Sequence, residues 1–146
     1  MASQLFTPIE LRSIELSNRV IVAPMCMYSA YEGTPTDWHL MHLGQFAVAG
    51  PGLVFVEATG VEAAGRITPG CTGLWNDEQE AKFKHITEFF RGYGNAKIGM
   101  QLAHAGRKAS CDLPWNGGAQ FAAEHQQGWP VVGPTEVAYA DGWQTP

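Results

Sequence analysis

Residues 53–58 read LVFVEA, and this short stretch decides the fold prediction. Its residues are mostly β-branched, aromatic or aliphatic, without the polar alternation of a strand that has one face in water. Such a run is typical of a central strand in a parallel sheet. A Gly-Pro-Gly at residues 50–52 separates it from a predicted helix over residues 38–49. Thr36 or Asp37 is the predicted N-cap of that helix.

Two further strand predictions lie on either side of residues 53–58. Upstream, residues 19–23 predict a fully buried strand, which Pro24 ends because proline cannot donate to a central ladder. Downstream, residues 97–102 predict a third strand of the same kind. A loose apolar alternation over residues 6–16 indicates a short N-terminal hairpin.

A second helix is predicted between the second and third strands. Asn76 and Gln79 have the spacing of a capping box, and the apolar residues that follow recur at intervals of three and four. Gly92 or Gly94 ends this helix. The order strand, helix, strand, helix, strand indicates parallel βα units in an α/β fold. After position 103 the apolar residues follow no helical or strand spacing, so we expect a long loop after the third strand.

Composition narrows the class of protein. The chain has 146 residues, of which 45% are hydrophobic and 16% charged, so a folded core is expected. A net charge of −5 argues against nucleic acid or an anionic membrane as partner. We expect no signal peptide and no membrane span, because no cationic-then-apolar N-terminus and no long apolar run occurs. The odd number of cysteines, with no CxxC pair, favours a reducing cytoplasm.

Polar residues follow each predicted strand. Cys26 and Tyr28 come after the first strand, Glu57 ends the second, and Gln101 lies near the end of the third. The carboxyl ends of parallel strands share one edge, where α/β proteins bind ligands, so these side chains predict a common site. Gln101 has the same phase as Gly99 along its strand, which suits a face that a planar polar group approaches closely.

Structural interpretations of these residues stay open from their types alone. Cys26 is also consistent with a small buried hydrophobe, Gln101 with a satisfied core amide, and Glu57 with a paired structural carboxylate. Three further polar residues also have a structural interpretation, which is that they anchor loops: Arg66, His104 and Arg107.

A metal site is a competing hypothesis. His39 and His42 are spaced to share one face of the first helix, and Cys26, Cys71, Cys111 and His104 add possible ligands. An isolated HxxH lacks the second ligand pair that zinc motifs bring, so we predict no metal.

Five stretches in collinear order carry a family resemblance. They are NRVIVAPMCMY (18–28), DWHLMHLGQFAVAGPGLVFVEATGV (37–61), GRITPGC (65–71), LWNDEQ (74–79) and IGMQLAHAGRKAS (98–110). Together they resemble the Old Yellow Enzyme family of FMN-dependent ene-reductases, in particular its xenobiotic reductase and thermophilic-like subgroup. The resemblance implies a (β/α)8 TIM barrel with FMN at the carboxyl ends of the strands.

The resemblance also implies roles for individual residues. Ala23, Pro24, Met25 and Cys26 would line the flavin ring, Ala58 would contact it through its backbone, and Gln101 would hydrogen-bond the pyrimidine edge. Cys26, which tunes the flavin, and Tyr28, which borders the substrate pocket, are the implied catalytic residues. NADPH or NADH would donate hydride to FMN, and an activated alkene would be reduced.

A complete barrel of about 250 residues is longer than this chain, which supplies about three of eight strands. We therefore expect residues 1–146 to form the N-terminal portion of a single TIM-barrel domain. The expected partner is the complementary C-terminal barrel portion, whether on another chain or beyond the present one, and the complete protein is expected to form a homo-oligomer. The alternative functions are a non-catalytic fragment or interaction module without cofactor, and a metal-dependent barrel hydrolase.

Overall fold

The computed structural model describes residues 3–146 and begins with a small hairpin. Strands β1 (Ile9–Leu11) and β2 (Ile14–Leu16) pair antiparallel and form a two-stranded sheet of their own. Leu16 is buried, whereas Leu11 and Ile14 are exposed. The predicted hairpin over residues 6–16 is confirmed.

The main sheet contains three parallel strands joined by two helices. Its strands are β3 (Ile21–Val22), β4 (Leu53–Gly60) and β5 (Lys97–Ala103), in that spatial order. Helix α1 (Asp37–Ala49) connects β3 to β4, and helix α2 (Asp77–Tyr93) connects β4 to β5. The predicted order of elements and the parallel pairing are both confirmed.

Both helices cover the same face of the sheet. Val54 and Val56 of β4 pack into a buried cluster with residues of the helices and of the turn before β5: Leu43, Ala47, Phe83, Ile86, Phe90 and Ala96. Ile98 and Met100 of β5 pack against this cluster as well. Because side chains alternate along a strand, the intervening residues lie on the other face of the sheet, which no helix covers among residues 3–146.

The first predicted strand is wrong in length and burial. Only Ile21–Val22 pairs as β3, and the side chains of Val20 and Ile21 are 36% and 48% exposed. The physical reason is position: β3 lies at the edge of the sheet and pairs with β4 alone in the described part of the chain. An apolar run predicts a buried strand, but a strand is fully buried only where a second strand pairs with its other edge.

The predicted helix ends agree with the structure in most details. Thr36 is the N-cap of α1, and its N–H donates to Nδ1 of His39 over 3.0 Å. Asn76 caps α2 by accepting from the Gln79 N–H over 2.9 Å. The Gln79 side chain accepts from the Trp75 N–H instead of completing a reciprocal bond with Asn76. Helix α2 ends at Gly94, the second of the two predicted positions.

The segment after β5 is irregular but well anchored. Residues 104–146 contain two short 3-10 helices, Gly106–Lys108 and Pro114–Asn116, and no longer helix or strand. Gln120 Nε2 donates to the Ala109 carbonyl over 2.8 Å, and Gln144 Nε2 donates to the Phe121 carbonyl over 2.7 Å. The long loop predicted after the third strand is confirmed.

Within residues 3–146, none of the helices combines the length and apolar character that a membrane crossing requires.

Candidate functional site

The predicted site residues lie at the carboxyl ends of the parallel strands: residues 23–28 follow β3, whereas Ala58 and Gln101 belong to β4 and β5, two residues before each strand ends. After β3, Pro24, Cys26 and Tyr28 are half-buried, whereas Ala23 and Met25 are exposed. Ala58 and Gln101 are partners in the register of β4 and β5. The backbone of Ala58, on β4, lies close enough to Cys26 to lower the pKa of its thiol. Residues from all three strands therefore contribute to one region.

A β-bulge in β4 shapes this region. Val56 pairs with Met100 and Ala58 pairs with Gln101, so Glu57 is an extra residue without a partner on β5. The bulge resets the alternation of side chains. Ala58 therefore shares the face of its partner Gln101, opposite to the helices, while Glu57 turns its carboxylate towards α1.

The Glu57 carboxylate is buried in a network of hydrogen bonds. Its Oε2 accepts from the Met27 N–H over 3.0 Å, and its Oε1 lies 3.1 Å from His39 Nε2. Since His39 Nδ1 accepts from the Thr36 N–H, the imidazole hydrogen is on Nε2 and is donated to Glu57. Glu57 is thus a paired structural carboxylate that holds the backbone between Cys26 and Tyr28.

Tyr28 has a backbone conformation that few residues other than glycine adopt. Its φ is +53°, in the left-handed region. The turn at Gly70 supports it from one side: a Cβ on Gly70 would lie 2.5 Å from the Tyr28 carbonyl oxygen, and the Ala30 N–H donates to the Gly70 carbonyl over 3.0 Å. The Tyr28 ring packs edge-on against Trp115, and burial raises the pKa of the Tyr28 hydroxyl.

Cys26 and Cys71 are free cysteines that lie close enough to influence each other's pKa. The neighbouring Cys71 thiol and burial raise the pKa of Cys26. The neighbouring Cys26 thiol and the Thr68 N–H, which donates to Cys71 Sγ over 3.4 Å, lower the pKa of Cys71 to about 6. The sequence indicated Cys71 only as a possible metal ligand, because nothing in the spacing of residues 26 and 71 shows that they lie close together.

The Gln101 side chain is exposed on the face that the helices leave open. Among residues 3–146 its amide makes no hydrogen bond to the protein. Small residues surround it on the strand ends, including its register partner Ala58 and the paired Gly60 and Ala103. A flat face of small residues beside a free amide can bind a planar ring that has polar groups on one edge.

A cavity of about 500 Å³ adjoins Tyr28. Its lining includes Ile67, Lys108, Asp112 and Trp143, none of which is a predicted site residue. Ile67 belongs to the loop after β4 and the other three to the loop after β5, so only the tertiary fold brings them to Tyr28 and no local sequence signal identifies them.

Three other polar residues anchor loops, as their structural interpretation predicted. His104 pairs with Glu62 at 2.7 Å, and Arg107 donates to Thr135 over 2.9 Å. The Arg66 guanidinium lies over the rings of Trp75 and Trp129, at 5.6 Å and 5.0 Å from their centroids.

The His39–His42 metal hypothesis finds no support. Both ring nitrogens of His39 are hydrogen-bonded within the protein, and the His42 ring lies between those of Trp38 and Phe46. Residues 3–146 contain no group of three His, Cys, Asp or Glu side chains that could hold a metal ion.

Comparison with known proteins identifies the family. Residues 4–140 match the NADH:flavin oxidoreductase / NADH oxidase family, whose members use FMN. The chain belongs to this family. It is 48% identical over 143 residues to an NADH:flavin oxidoreductase of Gibberella zeae, covering 97% of this chain and 34% of that protein. It is 42% identical over 133 residues to an NADPH dehydrogenase of Bacillus subtilis, covering 90% of this chain and 39% of that protein.

Solved structures of family members share the fold. Morphinone reductase in complex with tetrahydroNAD has a TM-score of 0.68 and 35% identity, covering 75% of this chain and 29% of that chain. Old Yellow Enzyme from Pichia sp. AKU4542 has a TM-score of 0.69 and 30% identity, covering 73% of this chain and 28% of that chain. The chain therefore spans between about a quarter and two fifths of the length of these proteins.

These matches confirm the predicted family resemblance and the predicted fold, the first part of a TIM barrel. They also confirm the predicted cofactors for the family, FMN and a nicotinamide nucleotide as hydride donor.

Proposed function

We propose that this chain supplies the first part of the FMN site of an NAD(P)H-dependent ene-reductase. The observation that supports this most directly is the open face at the ends of β4 and β5. There the unpaired Gln101 amide lies beside Ala58, on a face of small residues. The isoalloxazine ring of FMN is planar and has polar atoms along its pyrimidine edge, so its shape and chemistry match this face.

The proposed cofactor contacts follow from the position of each residue. Gln101 would hydrogen-bond the pyrimidine edge, and the Ala58 backbone would contact the ring. The segment 23–26 would lie along the ring from the side of β3. FMN would supply the hydride chemistry, and the protein's own part would be binding and orientation. The buried Glu57 keeps that segment in place through the Met27 N–H.

Tyr28 would border the substrate site above the flavin, next to the cavity of about 500 Å³. We propose an activated alkene as substrate, since the matching proteins include an NADPH dehydrogenase and a morphinone reductase. NADPH or NADH would be the hydride donor. The location in a reducing cytoplasm stays a prediction from the free cysteines.

We further propose that residues 1–146 are the first part of a single TIM-barrel domain and that a complementary barrel portion completes it. The outer edges of β3 and β5 lack partners within residues 3–146. Apolar side chains accompany these edges: Ile21 and Leu102 are 48% and 63% exposed. Pairing with further strands would cover them. A homo-oligomer of the completed protein stays part of this proposal.

The test is reconstitution with a polypeptide that carries the remaining barrel strands of a family member. We expect the purified complex to bind FMN, with quenching of flavin fluorescence, and to reduce cyclohexenone with NADPH. Gln101→Ala should weaken FMN binding about fivefold, since a hydrogen bond to a polar ring is worth about 1 kcal/mol. Gln45→Ala, at an exposed position of α1, is the matched control and should leave binding unchanged.

A folded complex that stays colourless in excess FMN would contradict the proposal and favour the non-catalytic alternative. A complex that binds FMN but leaves the alkene unreduced would retain the flavin site and refute the ene-reductase activity.

A further inference from the structure

Lys108 places a positive charge in the lining of the cavity of about 500 Å³ beside Tyr28. The side chain of Lys108 is exposed, and its Nζ lies 4.6 Å from the centroid of the Tyr139 ring. Tyr139 in turn packs edge-on against Trp143, which also lines the cavity, with 4.9 Å between the ring centroids. A cation–π contact with an aromatic pair therefore holds the ammonium group at the wall of the cavity.

The backbone that carries Lys108 is fixed on both sides. Gln120 Nε2 donates to the Arg107 carbonyl over 3.1 Å and to the Ala109 carbonyl over 2.8 Å. The Lys108 N–H donates to the Ala105 carbonyl over 3.0 Å. A ligand that binds the ammonium group thus meets a side chain whose backbone is already in place, which lowers the entropic cost of binding.

Lys108 makes no ion pair with a carboxylate among residues 3–146. Asp112 also lines the cavity, but its Oδ1 accepts from the Leu113 N–H over 2.7 Å and from Asn116 Nδ2 over 3.2 Å. The carboxylate of Asp112 is therefore held by its own loop, and the ammonium group of Lys108 is available to a ligand in the cavity.

We propose that this cavity contains an anion subsite, in which Lys108 Nζ binds a phosphate or carboxylate group of the ligand that lies beside Tyr28. The chain has a net charge of −5, so binding of an anion requires a local positive charge of this kind. A hydrogen bond between an ammonium group and an anionic oxygen is about twice as strong as a neutral one.

The source of the anionic group rests on the proposed function. A phosphate would belong to the nicotinamide nucleotide, and a carboxylate would belong to an activated alkene that carries an acid group. Both groups present oxygen acceptors to the same ammonium group, so the structure assigns the chemistry of the subsite and binding measurements distinguish the two ligands.

The test uses the reconstituted complex and two pairs of ligands that differ in one anionic group. Nicotinamide riboside lacks the phosphate of nicotinamide mononucleotide, and methyl cyclohex-1-ene-1-carboxylate lacks the charge of the free acid. Isothermal titration calorimetry measures each affinity without turnover. We expect the anionic member of at least one pair to bind more tightly than its partner. Lys108→Gln should weaken that binding about tenfold and leave the partner's affinity unchanged.

Two further variants control for the charge and its position. Lys108→Arg keeps the positive charge and should retain most of the affinity for the anion. Lys84→Gln removes a positive charge from an exposed position of α2, outside the cavity, and should bind both pairs as the wild type does.

The outcomes separate the two sources. Preference for the phosphate assigns the subsite to the nucleotide, and preference for the carboxylate assigns it to the alkene. Equal affinities within both pairs, or an anion preference that persists in Lys108→Gln, would overturn the proposal. A complex that binds no FMN refutes the proposed function, but the titrations still report whether Lys108 binds the anion.

Discussion

His39 on α1 donates its Nε2 hydrogen to Oε1 of Glu57 on β4, across 3.1 Å in a fully buried environment. This bond exists because Glu57 is the extra residue of a bulge. In a regular strand its side chain would follow Phe55 onto the face opposite to the helix. The bulge thus couples the first helix to the segment that contains Cys26 and Tyr28.

Replacing Glu57 tests the strength of this coupling. In Glu57→Gln, the amide oxygen accepts from only one of the two donors, and the amide hydrogens face the other. We expect the free energy of unfolding in urea to fall by about 1 to 3 kcal/mol, the cost of a buried unsatisfied donor. Glu62→Gln, in the partly exposed pair with His104, is the control and should cost at most about 1 kcal/mol. Equal losses in both variants would contradict a special role for the buried pair.

Gly70→Ala tests the contact between the turn and Tyr28. The added Cβ would lie 2.5 Å from the Tyr28 carbonyl oxygen, so one of the two backbones has to move. We expect a loss of about 1 to 3 kcal/mol in urea unfolding. Gly92→Ala is the control: the new Cβ meets nothing within 4 Å and lies in α2, where alanine should stabilise by up to about 1 kcal/mol. A Gly70→Ala variant with the wild-type free energy of unfolding would contradict this expectation, because the turn would then have moved without cost.

The stability of the protein should depend on pH through Cys71. Its pKa in the folded protein is lowered to about 6, below the ordinary thiol value of about 8.5. The stabilisation is therefore complete above about 8.5 and is lost as the pH falls through about 6. Cys26 has a raised pKa, so its contribution is complete below about 8.5 and declines only at higher pH.

We therefore expect the urea midpoint to rise between pH 6 and pH 8, and Cys71→Ser to flatten this rise. Cys111→Ser, which removes a thiol whose pKa is raised, should leave the rise unchanged. A wild-type midpoint that falls over this range would contradict the lowered pKa of Cys71.

Arg66 is expected to control the order of the loop after β5. Its guanidinium lies over Trp75 and Trp129, and its Nε donates to the Ala63 carbonyl over 3.0 Å. Arg66→Ala removes two cation–π contacts, each worth about 0.5 to 2 kcal/mol. Chymotrypsin should then cleave the segment 121–143 several-fold faster. Arg91→Ala, at an exposed position of α2, should be cleaved at the wild-type rate, and equal rates for the two variants would contradict the anchoring role.

Local patterns in the sequence were sufficient for most of the fold. The helices follow from capping residues and glycines, and LVFVEA behaves as the central strand that its composition predicts. These features depend on neighbours within a few positions, which a single sequence displays. The burial of the two edge strands, β3 and β5, is the exception, because the exposure of residues such as Ile21 and Leu102 depends on which strands lie beside them and not on their own composition.

Some features of the site likewise followed from the sequence, and others did not. That Cys26, Tyr28, Ala58 and Gln101 gather at one edge follows from the sequence, since parallel strands align their carboxyl ends. The bulge at Glu57, the left-handed conformation of Tyr28 and the close approach of Gly70 to Tyr28 were decided by the tertiary structure alone. Each depends on contacts between residues that are distant along the chain, and the energies of such contacts leave no periodicity or spacing in the sequence.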